Sequence, residues 1–316
     1  MTEPTGSDQA GSDSTGPDQA GSEPSGVVRQ QSFEFAGVAD IDISLLSGRV
    51  QVQLVDAPGV HVEVRHDPNA GNSWTEGLSS VLSWVSGQFG PDKTAPQAGP
   101  EEAVRDARVE LLGHRLRIES SKALPLRAVP LSVVVTAPVG SHVASRTGAA
   151  DVIVTGGAGR LDLNTGTGSV SADRATGEAK VNSGAGTVRL GTMLSTLKAK
   201  TGSGDVEVSS VGGTATLITG TGDVWLGAVQ GDVQVRTGSG DLTVADAASG
   251  ELHLGTGSGH IRVGVRQGTL ARVDLVSTSG TARSDFEVSS TPLGDAALSV
   301  TGRTGSGNAL VTAASS

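Results

Sequence analysis

Apolar and polar residues alternate with a period of two through QSFEFAGV, ADIDISLL, GRVQVQLV and GVHVEVRH, between residues 31 and 66. A half-buried strand shows this period, because successive side chains point to opposite faces. Turn chemistry separates these runs, with SG at 47–48 and APG at 57–59. The same alternation returns in ARVELLG, HRLRIESS and PLSVVVTAP, between 107 and 138. Between 67 and 107 it breaks. Trp74, Leu78, Val81, Leu82, Val85 and Phe89 recur at helical spacing there and predict one short helix over 74–89. GPDKTAPQAGPEE after it reads as a Pro/Gly loop. The apolar stripe suits packing on the end of the fold or docking to a membrane surface. The segment has Glu76 as its one charge and no Lys or Arg, which favours packing.

From about residue 147 the pattern becomes a repeat. TGAADV starts at 147, TGTGSV at 165, SGAGTV at 183, TGSGDV at 201, TGTGDV at 219, TGSGDL at 237 and TGSGHI at 256. A period of nine lies beneath these steps of eighteen. Small apolar residues recur from Val152 to Ile261, and a second series lies two places on, from Val154 to Val263. Gly stands two residues before the first series in eleven of thirteen units; Ala150 and Ser195 are the exceptions. Each nine-residue unit therefore reads as a short strand with two inward side chains, closed by a Gly turn. Two alternating turn types make the full unit eighteen. The predicted fold is all-β: a β-solenoid, parallel β-helix-like, with 18-residue coils of two 9-residue strand-turn units stacked at ~4.8 Å. An antiparallel meander of nine-residue hairpins is the rival architecture, although no Asn-Gly or Asp-Gly hairpin turn occurs in the repeats.

Composition agrees with a thin core of Val, Leu, Ile and Ala. The 316 residues include 46 Gly, no Tyr, no Cys and only 2% aromatics. Disulfides, thiolate metal sites and cysteine nucleophiles are therefore out of reach. The net charge is −10, and five acidic residues fall in the first 26, which contain no Lys or Arg. With no basic stripe, nucleic acid is not an expected partner. The low-complexity segment 1–26 is expected to be a disordered acidic tail. The expected organisation is tail 1–26, N-terminal β region and cap 27–140 with the insertion 67–107, regular solenoid 141–264, and degraded repeats with a C-terminal cap 265–316. No signal peptide or transmembrane run is visible. The expected location is the cytoplasm, with the cell envelope by a non-standard route as the alternative.

The T-G-S-G-D-V register with its G-D-V-x-V half-units resembles the bacterial "putative adhesin" repeat family, domain of unknown function 4097, over roughly residues 33–311. The resemblance implies a repeat β-fold, sometimes at the envelope, and it supplies no catalytic residues.

Asp205, Asp223 and Asp241 hold one turn position in three successive coils. They could form a carboxylate ladder for a divalent cation, or each could bond a nearby turn amide. Calcium nonapeptide repeats need G-G-x-G-x-D, and here the Asp comes one place early. The hydroxyl column Thr147, Thr165, Ser183, Thr201, Thr219, Thr237 and Thr256 suits cross-coil hydrogen bonds; a glycan-type binding face would also use such rows. Trp225 falls on an outward position between Glu207 and Thr243 of the neighbouring coils, and is a candidate contact residue together with Trp74, Trp84 and Phe89. The six His are scattered. No phosphate loop or nucleophile elbow is present. The sequence thus predicts a non-catalytic binding or assembly scaffold without a cofactor. The alternatives are a surface adhesin binding glycan or protein, and a solenoid self-associating through its ends.

Overall fold

The computed structural model describes residues 27–68, 99–285 and 296–314. The helix predicted over 74–89 and the tail 1–26 lie outside the described residues.

The fold is a β-solenoid. Val206–Val211 pairs in parallel with Val188–Met193 on one side and Val224–Val229 on the other. Ala179–Ser183 pairs in parallel with Arg160–Thr165 and Leu197–Ser203. Val206 sits on Val224, and Leu197 on Ala215, so each residue stacks on the one eighteen places away. The hairpin meander is excluded by this direction of pairing. A one-residue insertion shifts the step once, where Val233 meets Leu252. Each coil contributes one strand to a first sheet and one to a second. The two inward rows, such as Leu217 and Val208, are buried in one continuous core.

Towards the N-terminus the stack continues beyond the regular repeats. Asp40–Val55 lies parallel to His142–Ala158, with Ile41 on Val143 and Val50 on Val152. The SG at 47–48 does not end a strand. The chain stays extended and bends there from the first sheet to the second, with Gly48 at φ 125°. Arg115–Glu119 and Leu131–Pro138 form the next winding. Antiparallel strands follow: Arg108–Leu112 on the first sheet, then Val60–His66 and Val28–Phe33 on the second. The first strand ends at Phe33, so the expected extension to Val38 is not formed.

A helix, Pro100–Asp106, packs at this end with Ala103 and Val104 fully buried. Pro in the first turn, Glu101 and Glu102 after it and Arg105 in the last turn suit a helix. The sequence predicts a Pro/Gly loop as far as Glu102, so the first turn of this helix departs from that expectation. Arg29 ties the helix down by donating to the carbonyls of Arg105 and Ala107.

At the C-terminal end, space and sequence part company. Gly250–Ser258 pairs not with Ala271–Ser279 but with Leu298–Ser306, which in turn pairs with Ala271–Ser279. The second sheet repeats this order: Ile261–Val265, then Ala309–Ala313, then Ala282–Ser284. The last winding of the chain is inserted between two earlier ones. STSGTA at 277 and TGSGNA at 304 are both coil corners, as their sequences suggest.

Candidate functional site

The Asp ladder exists, and its carboxylates are engaged. Asp205 Oδ1 accepts from the Asp223 N–H at 2.9 Å, Asp223 Oδ1 from the Asp241 N–H at 2.8 Å, and Asp241 Oδ1 from the His260 N–H at 2.7 Å. Each carboxylate thus caps a corner amide of the next coil. Among the described residues, no group of three or more His, Cys, Asp or Glu is placed to hold a metal ion. Asp223→Ala is expected to cost about 1 kcal/mol, the ordinary net worth of one hydrogen bond. A lower urea midpoint at unchanged slope would show it. Millimolar calcium should leave the wild-type melting temperature where it is.

The hydroxyl column points inward. Thr165, Ser183, Thr201, Thr219, Thr237 and Thr256 are all buried. Thr256 Oγ1 donates to the Gly240 carbonyl of the preceding coil at 3.0 Å, and Thr165 Oγ1 donates likewise to Ala150 at 3.2 Å. Thr165, Thr219, Thr237 and Thr256 stitch windings together in this way, while Ser183 Oγ donates within its own corner to Gly186 and Thr201 Oγ1 has no partner among the described residues.

Trp225 lies outward, 40% exposed, between Glu207 and Thr243 as the register predicts. Its ring lies over Gly227: a Cβ added to that glycine would stand 3.1 Å from Trp225 Cη2. Trp74, Trp84 and Phe89 lie outside the described residues. His253 approaches Glu251 at 3.2 Å, and His260 Nδ1 accepts from the Asn308 N–H at 3.0 Å. The two rings therefore serve different neighbours.

A groove that the sequence did not announce lies near the N-terminal end. Parallel stacking puts Ser44, Arg146, Asn164 and Asn182 in one row on the outside of the first sheet. Asp162 and Lys180 lie in the adjacent row. The segment after Glu119, carrying Lys122 and Arg127, forms the opposite wall of a cavity of 1160 Å3. Asn182 Nδ2 donates to Asn164 Oδ1 at 2.7 Å, and Asn164 Nδ2 to Asp162 Oδ1 at 2.8 Å. The amides are thereby fixed in orientation. Arg146 contacts Asp42 at 3.2 Å but keeps a side chain 60% exposed. Lys122, Arg127 and Lys180 form no ion pair among the described residues. Four cationic and two acidic side chains line the groove of a chain whose net charge is −10. Glu119 is already bound to Arg117 at 2.9 Å. The groove therefore offers donors and positive charge, with no aromatic platform.

This row flanks the Thr column, and its residues vary from coil to coil. The available signal was the change along it, from Arg146, Asn164 and Asn182 to the exposed Ile218. The opposing wall comes from a segment far away in sequence and gave no signal.

A family model described as Toastrack DUF4097 matches residues 132–316. A solved structure described as a "putative adhesin" from Bacteroides fragilis is 11% identical, over 90% of this chain and 97% of that one, with a TM-score of 0.44. Another, described as a "putative lipid binding protein" from Parabacteroides distasonis, is 13% identical, over 89% and 96%, with a TM-score of 0.48. No curated protein matches the chain.

Proposed function

The chain belongs to the Toastrack DUF4097 family, and from that premise we propose that it is a non-catalytic scaffold whose first-sheet groove binds an anionic glycan. One observation carries the reading: Lys122, Arg127, Arg146 and Lys180 converge on a groove floored by the fixed amides of Asn164 and Asn182. Guanidinium and ammonium groups favour carboxylate- or sulfate-bearing ligands. Amides that both donate and accept suit the hydroxyls of a sugar. A neutral sugar would want an aromatic face, and none lines this groove. The regular coils hold the donor rows at a fixed spacing, so little ordering cost falls on binding.

Isothermal titration with polygalacturonate, against neutral dextran, tests this. Polygalacturonate should bind, and binding should weaken with salt because exposed charges are screened. Lys180→Glu should weaken it about tenfold, the scale of one charged contact, with no change in melting temperature. Equal binding of dextran, or an unaffected Lys180→Glu, would remove the reading. A glycan ligand also requires the protein to reach the cell envelope, which fractionation of native cells would decide.

A further inference from the structure

The two ends of the solenoid differ. At the N-terminal end, antiparallel strands and the Pro100–Asp106 helix with its buried Ala103 and Val104 close the core. At the other end, Ala271–Ser279 pairs only with Leu298–Ser306 among the described residues. Val273 and Leu275 pack against the core but stay partly exposed. On the outer face, Leu270 is 49% and Val276 48% exposed.

This edge, unpaired among the described residues, has a defined polarity. The Leu298 N–H donates to the Leu270 carbonyl at 3.3 Å. Peptide groups alternate sides along a strand, so residues 271, 273 and 275 turn theirs towards the open edge. Arg272 and Asp274 lie beside Ser299 and Thr301. Neither forms an ion pair among the described residues.

The edge sequence, LARVDLV over 270–276, is complementary to its own reverse. We propose that two copies of the chain join through this strand, antiparallel, about a twofold axis at Val273. Arg272 then lies opposite the partner's Asp274, and Asp274 opposite the partner's Arg272. Leu270 meets the partner's Val276 on the outer face, and Ala271 meets the partner's Leu275 on the inner face. Val273 and the partner's Val273 form a hydrogen-bonded pair, which is the pair their edge-facing peptide groups require. Shifting the axis by two residues, to Leu275, sets Asp274 against Val276 and loses this match.

The N-terminal edge strand Arg108–Leu112 carries a similar order, RVELL. There Arg108 already holds Glu110 at 2.7 Å, and this bond keeps its pKa above the ordinary arginine value. Contact between two C-terminal ends is isologous and closes at two copies; contact between unlike ends would run on as a filament.

Sedimentation equilibrium of the full chain tests this. The wild type should approach twice the monomer mass as concentration rises. Asp274→Arg alone and Arg272→Asp alone place like charges opposite each other and should each weaken association at least about tenfold. The double exchange Arg272→Asp with Asp274→Arg restores complementarity and should restore the dimer, which a folding defect would not do. Circular dichroism melts keep the variants comparable. A wild type still monomeric on the order of 100 μM, single exchanges without effect, a double exchange that stays monomeric, or masses beyond the dimer would each overturn the proposal.

Discussion

Gly240→Val is expected to destabilise the protein by at least about 3 kcal/mol, the sum of backbone strain and a steric clash. Gly240 closes the T-G-S-G corner at φ 146°, and Gly204, Gly222 and Gly259 repeat it at 146°, 143° and 149°. A Cβ at Gly240 would fall inside the contact distance of the Gly222 carbonyl in the preceding coil. The Gly240 N–H meanwhile donates to Ser258 at 2.9 Å, so the corner cannot swing away without breaking the ladder. Gly268→Ala serves as the comparison. Gly268 has φ 81° but nothing within 4 Å of an added Cβ, so only strain of about 1 kcal/mol should appear. Urea unfolding of the two variants measures the difference. If Gly240→Val cost no more than Gly268→Ala, the corners would not be in close contact.

Removing residues 296–316 should release the Ala271–Ser279 and Ala282–Ser284 strands while the regular coils stay folded. Leu298, Val300 and Val311 are 0–1% exposed, and burying a side chain of this kind contributes about 1.5–3 kcal/mol. The truncated chain loses roughly 5–9 kcal/mol of burial on that scale, an upper bound because an unfolded chain is partly compact. It also loses the ladders on both faces of the inserted winding. Stability in a repeat array is a sum over neighbours, so the loss stays local. Hydrogen exchange should show 271–285 unprotected and strands such as Val206–Val211 unchanged. Protection persisting at 271–285 would mean that those strands have another partner.

The stack was legible because its period leaves no slack. With a corner every nine residues, Val206 can rest on Val224 only if the intervening turns have fixed length, and the Gly column shows that they do. The stacking of the Thr column in successive coils followed from the same register. Four features were not legible. The bend at Gly48 used turn residues without ending a strand, because a solenoid corner and a hairpin turn draw on the same residue types. The Pro100–Asp106 helix is seven residues long, too short for an apolar stripe to declare itself. The groove joins Arg146 and Lys180 to Lys122 and Arg127 through tertiary packing alone. Each is an ordinary surface cation when read singly. The order of the final windings was hidden for another reason: repeat motifs mark corners equally well whether coils follow in sequence or are interleaved.

That interleaving sets a schedule for biosynthesis. A ribosome releases residues 250–265 and 271–285 before it makes 298–313, so the winding that separates them in the stack is the last of the three to arrive. Nascent strands emerge at about 5–20 residues per second. For that interval residues 271–285 lack their partner strands, and Gly250–Ser258 with Ile261–Val265 ends the folded stack in a raw edge. Premature pairing of 271–285 with that edge would shut the later winding out, and a chaperone that holds the two apart would favour the native order.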